Sequence, residues 1–299
     1  MTVEKRHLLT SVDIARFVAR GSLLFEGLVP DQLNREFLDT VDSDGPPPGN
    51  KAGTRLADSY HGTPVREILD LPRMQGIIQS LVGPDPIFDH HGVHFSQPAH
   101  SLEKRGIKVY AQHTHQDSTI DVRRAFDVQL FYFPQAVTPQ MGGTRYIPGS
   151  HLRIVNEATI SRYQNFVGQQ KVVCPAGSVL ACHHGLWHGG EVNRTDTMRY
   201  MLKLRIAPSV AQVRHWNTDD LTEEAIGARP IFDPTYTASL DADDIRTILC
   251  RPEPWYELDT GRLEYINRIR LWRYLIGDER ADIDYWVGRI ENDPGSAAG

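Results

Sequence analysis

The stretch from residue 127 to residue 149, DVQLFYFPQAVTPQMGGTRYIPG, holds two short runs of β-favouring residues, at 127–133 and 144–147. Turn-forming residues separate the two runs and follow the second, at Gly142-Gly143 and Pro148-Gly149. Outward from this stretch, similar short runs occupy 86–96, 107–115, 171–174, 178–182 and 198–206. Many short strands between turns predict an all-β sandwich or a jelly roll.

The segments on both sides of this β-rich region have the spacing of helices. Thr10 or Ser11 is a suitable N-cap for the first helix, and Gly21 would end it. The predicted helices span 10–20, 30–41, 64–70, 72–82, 260–276 and 282–291. We therefore predict a single domain over 1–299, with a helical N-terminal frame (1–85), a β core (86–208) and a helical C-terminal extension (209–299).

The composition excludes several classes of protein. The net charge is −6 and there is no long basic run, so a nucleic-acid partner is not expected. The apolar runs are too short for a membrane span, and the N-terminus lacks the apolar core of a signal peptide. Cys174, Cys182 and Cys250 form no CxxC pair, which indicates reduced thiols and argues against a zinc site. A cytoplasmic location is expected, and nothing indicates an oligomer.

One constellation carries chemistry: His115-Gln116-Asp117, then His188, then Arg199. Side chains two apart on a strand share a face, so His115 and Asp117 can project together. With one distant histidine they can hold iron(II) on three adjacent positions and leave three positions open, as in a facial triad. Taken alone, the pair could instead hydrogen-bond to each other or cap a turn.

The third ligand and the role of the arginine each have an alternative. His183, His184 and His188 lie within six residues, so the spacing alone does not select one of them. Arg199 belongs to a strand-like run whose same face carries Met201, Lys203 and Arg205, which could be a solvated basic face. Beside a metal triad, its guanidinium could instead bind a dicarboxylate through two parallel hydrogen bonds.

The order of these motifs resembles the phytanoyl-CoA dioxygenase family over about residues 10 to 208. The opening Glu26-Gly27-Leu28-Val29-Pro30 contributes to the resemblance, and the PGSH element is the most distinctive part. The later motifs, in order, are His115-Gln116-Asp117, Gly143-Thr144-Arg145-Tyr146-Ile147-Pro148-Gly149-Ser150-His151, Gly177-Ser178-Val179, His188, Asn193-Arg194-Thr195 and Arg199.

The resemblance implies a double-stranded β-helix, a variant of the jelly roll, framed by helices. It implies iron(II) bound by His115, Asp117 and His188, with 2-oxoglutarate chelating the iron and placing its distal carboxylate on Arg199. It also implies Thr144 as a residue near the cosubstrate. Gln129, on a strand that crosses the barrel, is a further candidate for this role, and a surface strand residue is the alternative. His151 is expected to pack or hydrogen-bond in a structural turn rather than bind metal.

The implied reaction consumes O2 and 2-oxoglutarate and hydroxylates an unactivated C–H bond of a small-molecule substrate, such as a bacterial secondary metabolite. Asp117 favours oxygenation over halogenation, because related halogenases lack this carboxylate. Desaturation, epoxidation and ring closure remain open. Two alternatives also remain: a jelly-roll binding protein without catalysis, and a cupin-like metal enzyme that does not use 2-oxoglutarate.

Overall fold

The β-rich centre forms two antiparallel sheets in a computed structural model that describes residues 3–48, 51–117, 127–153, 165–226, 244–250, 258–278 and 280. The strands are β1 (Ser22–Phe25), β2 (Ile87–Ser96), β3 (Val128–Phe133), β4 (Thr144–Tyr146), β5 (Gln170–Lys171), β6 (Ser178–His183), β7 (His188–Gly190) and β8 (Arg199–Ala207). The larger sheet has the order β1-β6-β3-β8-β2, and the smaller has the order β5-β4-β7.

The two faces of the larger sheet bury different sets of side chains, because side chains alternate along a strand. On β3, Leu130 and Tyr132 pack under the helices in the main hydrophobic core. Phe131 and Phe133 point to the other side, where they meet Tyr146 of the smaller sheet in a second buried cluster. The space between the two sheets therefore forms the interior of the β core.

The helices are α1 (Ser11–Arg20), α2 (Asp31–Asp44), α3 (Pro64–Asp70), α4 (Pro72–Val82), α5 (Ala99–Glu103), α6 (Glu223–Ile226), α7 (Ile245–Cys250) and α8 (Leu258–Ile276). All of them except α5 contribute side chains to the main core on the outer face of the larger sheet. Thr10 and Asp13 form a capping box at the start of α1. Pro30, the first residue of the predicted helix 30–41, lies immediately before α2 as its N-cap.

Helix α8 joins the C-terminal region to the N-terminal helices. Trp272 is 1% exposed and belongs to the same core cluster as residues of α1 and the larger sheet. The Arg268 guanidinium is completely buried, pairs with Glu264 and donates to the carbonyl of Leu249 in α7 at 2.9 Å. These contacts join α8 to the helices before it, and the single domain over 1–299 stays a prediction. The predicted helix 282–291 lies outside the described residues.

Two predicted features differ from the structure. The segment 107–115 is not a strand: it meets β7 only where His115 bridges His188 and where Gln112 N donates to Gly190 O, and the register slips by one residue between these points. Gly189-Gly190, a pair whose composition favours a turn, lies instead within β7. A Cβ on Gly189 would approach His113 O at 3.0 Å, so glycine permits the close approach of this neighbouring segment.

None of the helices in the described ranges combines the length and the apolar composition that a membrane span requires.

Candidate metal centre

The two histidines predicted to bind metal lie directly opposite each other. His115 N donates to His188 O at 3.0 Å, and His188 N donates to His115 O at 2.9 Å. Residues paired in this way project their side chains to the same face. The two ring centroids are accordingly 4.5 Å apart.

Both imidazoles are oriented by a backbone carbonyl. His115 Nδ1 lies 3.0 Å from His113 O, and His188 Nδ1 lies 2.8 Å from Leu186 O. Because a carbonyl oxygen only accepts, each Nδ1 carries the proton and each Nε2 keeps its lone pair. The two Nε2 atoms face the Asp117 carboxylate, at 3.6 Å from Oδ1 for His115 and 3.4 Å from Oδ2 for His188.

The three side chains fit a metal ion. One ligand atom from each of His115, Asp117 and His188 lies within 4.8 Å of the others, the one such group found in the described part of the chain. Two imidazole nitrogens and one carboxylate oxygen are the donors of the facial triad that binds iron(II).

The Asp117 carboxylate also has two polar neighbours on the strands of the larger sheet. Gln129 Nε2 donates to Asp117 Oδ2 at 2.5 Å, and Lys203 Nζ contacts the same oxygen at 2.5 Å. Burial opposes ionisation of Asp117, but its interaction with His115 and the charge of Lys203 hold its pKa far below the usual range. Asp117 is therefore ionised and can serve as an anionic ligand.

The two histidines differ in their electrostatic surroundings. Burial lowers the pKa of His188 to about 3, so this ring is neutral near pH 7 and able to coordinate a metal. Burial also acts to lower the pKa of His115, but the interaction with Asp117 outweighs it, and the net direction is upward.

Arg199 begins β8 and lies in the interior between the sheets. Met201, two residues along the same face, belongs to the buried cluster between the sheets. Arg199 is 7% exposed, and its Nε has no hydrogen-bond partner among the described residues. Burial lowers the pKa of the guanidinium. A buried cation without a partner is costly, so this side chain suits an anionic ligand.

The two residues predicted near the cosubstrate also lie in the interior. Thr144 Oγ1 is 3.6 Å from Met201 Sδ, on the same row of β8 as Arg199. Gln129 is fully buried and contacts Asp117. The structure thus brings Gln129 to a candidate metal ligand, and its contact with a cosubstrate stays a prediction.

Sequence reasoning missed the position of Lys203. It was grouped with a possible solvated basic face, yet it is 9% exposed and contacts Asp117. The alternation along β8 from Arg199 was the available signal, because it places Lys203 on the same face.

The other histidines of the region lie outside the metal group. His151, in the PGSH turn, donates from Nε2 to Val18 O of α1 at 3.0 Å, in agreement with the prediction that it packs. His183 packs against it, with ring centroids 5.1 Å apart. The ring of His184 is buried, and its backbone N donates to Asp127 O. Of the three histidines between 183 and 188, only His188 belongs to the group with His115 and Asp117.

Comparison with solved structures shows the same fold elsewhere. HygX from Streptomyces hygroscopicus with iron bound matches at a TM-score of 0.51 and 15% identity, over 72% of this chain and 94% of that chain. HygX with nickel and 2-oxoglutarate bound matches at a TM-score of 0.50 and 17% identity, over 72% of this chain and 94% of that chain. The epimerase SnoN in complex with Fe3+, alpha ketoglutarate and nogalamycin RO matches at a TM-score of 0.49 and 16% identity, over 67% of this chain and 84% of that chain.

The predicted fold is confirmed: the chain is a cupin-like double-stranded β-helix with flanking helices. No curated protein sequence matches the chain. The family model described as phytanoyl-CoA dioxygenase (PhyH) matches residues 31–201, which is more than half of the chain. The protein therefore belongs to the phytanoyl-CoA dioxygenase family.

Proposed function

We propose that this protein is an Fe(II)- and 2-oxoglutarate-dependent dioxygenase that hydroxylates an unactivated C–H bond of a small organic substrate. The observation that carries the proposal is the convergence of His115, Asp117 and His188 in the same interior that holds Arg199, whose Nε has no hydrogen-bond partner among the described residues. Membership of the family supports it. In this role the bound iron, with 2-oxoglutarate and O2, supplies the oxidising power.

The residues of the chain would hold and orient these partners. His115, Asp117 and His188 would occupy three positions on the metal and leave the remaining positions open. Arg199 would bind the distal carboxylate of 2-oxoglutarate, because a guanidinium matches a carboxylate with two parallel hydrogen bonds. Thr144 would offer a hydroxyl to the cosubstrate from the opposite sheet.

We further propose a bacterial secondary metabolite as the substrate, in place of a coenzyme A ester. Recognition of a coenzyme A ester would need several cationic contacts for its phosphates, whereas the net charge of this chain is −6. Incubation with metabolite extracts, iron(II), 2-oxoglutarate and O2 should give a product heavier by one oxygen atom. A product lighter by two hydrogen atoms would instead indicate desaturation or ring closure.

The function is tested without knowledge of the substrate. We expect anaerobic addition of iron(II) and 2-oxoglutarate to give a visible charge-transfer absorbance, and admission of air to give slow succinate formation. Asp117→Ala should abolish both signals. Glu191→Ala is the matched control, since Glu191 has a similar side-chain exposure (19% against 21%) but pairs with Lys171 on the smaller sheet.

The same assay separates the alternatives. A binding protein without catalysis would retain no iron and form no succinate. A metal enzyme that does not use 2-oxoglutarate would bind iron but show no charge-transfer absorbance, and Arg199→Met would leave its metal-dependent activity intact. Either pattern would exclude the proposed function.

A further inference from the structure

Lys203 places a cation on the carboxylate that the proposed function assigns to the metal. Its Nζ lies 2.5 Å from Asp117 Oδ2 and 5.5 Å from the centroid of the Phe131 ring. The side chain is 11% exposed, so water screens its charge only weakly. Lys203 also lies on the face of β8 that carries Arg199, four residues away, between the two sheets.

The ammonium acts with opposite sign on the two ligands that the site would bind. In the free protein it balances the negative charge of Asp117. A divalent cation bound by Asp117 would be repelled by the ammonium. A dicarboxylate bound to that metal and to Arg199 would be attracted by it, and charges a few ångströms apart interact strongly at a buried site.

We propose that Lys203 sets the charge of this site, so that the protein holds its metal weakly on its own and binds 2-oxoglutarate tightly once the metal is present. The inference rests on the proposed function. It differs from a role in which Lys203 only orients Asp117, because loss of an orienting contact would weaken metal binding, whereas loss of a repelling charge strengthens it.

The test measures two dissociation constants on the whole protein. Mn(II) alone is titrated and the free ion is counted by electron paramagnetic resonance; 2-oxoglutarate is then titrated by calorimetry into the Mn(II)-loaded protein. In Lys203→Met, which keeps an unbranched side chain beside Phe131, we expect Mn(II) to bind about tenfold more tightly and 2-oxoglutarate about tenfold more weakly.

Two further variants separate charge from hydrogen bonding. Lys203→Gln keeps an N–H donor but removes the charge, so it should behave like Lys203→Met. If the methionine variant does not fold, the glutamine variant alone tests whether the charge of Lys203 affects the two dissociation constants. Lys203→Arg keeps the charge and should stay close to the wild type. Lys171→Met is the matched control, because it removes a lysine that pairs with Glu191 instead of Asp117.

The inference is overturned if Lys203→Gln binds Mn(II) as the wild type does or more weakly, or if its affinity for 2-oxoglutarate is unchanged. This outcome leaves the proposed function intact, because the wild type still binds both ligands. A wild-type protein that binds neither Mn(II) nor 2-oxoglutarate would instead overturn the proposed function and this inference with it.

Discussion

Arg199 shows how a single residue can serve binding at the expense of stability. Within the described ranges its Nε has no partner, although the residue is almost fully buried. Arg205, six residues further along the same face of β8, donates from Nε to Asp127 Oδ2 at 2.8 Å and lies 3.2 Å from Asp89 Oδ2. In the described part of the chain, the strand thus carries one guanidinium paired with carboxylates and one whose Nε has no partner.

This difference predicts opposite effects of the same substitution. Arg199→Met should raise the free energy of unfolding of the metal-free protein by about 1 kcal/mol or more, because it removes an uncompensated buried charge. Arg205→Met should lower it by about 1 to 3 kcal/mol, because Asp127 loses its partner. Denaturant titration of both variants measures the difference. Equal destabilisation by the two changes would show that Arg199 is paired in the free protein.

At the scale of elements, the pattern of the sequence predicted most helices and strands because their side chains repeat with a clear period. Helices α1, α3 and α4 begin and end close to the predicted residues, since caps and prolines mark their ends. Strand β7 was missed because its glycines are typical of turns. In the structure they instead leave room for the segment before His115 to pack closely against the strand.

For the candidate site, the sequence predicted the main residues but not all of the contacts between them. The order of motifs selected His115, Asp117, His188 and Arg199, which the structure places in one interior. Local periodicity could not reveal that Lys203 contacts Asp117, because this contact joins residues 86 positions apart and depends on the packing of the two sheets. Short helices α6 and α7 were missed because so few residues give no periodic signal.

The junction between α1 and the PGSH turn gives a prediction at the element scale. Gly21 ends α1 with φ +74°, and a Cβ there would lie 2.4 Å from His151 Nδ1. Gly21→Ala combines a left-handed backbone with a clash, so it should lower the free energy of unfolding by about 3 kcal/mol.

Gly27→Ala is the matched control for this substitution. Gly27 has φ +58°, with nothing within 4 Å of its Cβ position, and should lower the free energy by only about 1 kcal/mol. Thermal and denaturant unfolding would measure both values. If the two glycines tolerated alanine equally, the contact between α1 and His151 would not be tight.

For the whole molecule, buried histidines predict how stability changes with pH. Burial lowers the pKa of His151 from 6.5 to about 3, and it lowers that of His183 well below 6.5. As the pH falls below 6.5, the unfolded chain takes up protons that the folded protein does not. Their contribution to stability is therefore complete above pH 6.5 and is lost progressively between pH 6.5 and 3.

We expect the metal-free protein to lose about 2 kcal/mol of stability per buried histidine between pH 7 and pH 5. His151→Gln should lose about 2 kcal/mol less than the wild type over this interval, whatever its stability at pH 7. Denaturant titrations at the two pH values provide the comparison. An identical loss in both proteins would mean that His151 is protonated in the folded state.

The packing of α8 against the N-terminal helices has a practical consequence for anyone who shortens this chain. The segment that matches the family stops at residue 201, yet Asn267 donates to Leu152 O at 2.8 Å and Trp272 fills the core beside α1. Truncation to the matched segment would expose a large apolar surface to solvent. We expect such truncated versions to collect in inclusion bodies, whereas the uncut polypeptide should purify as folded material.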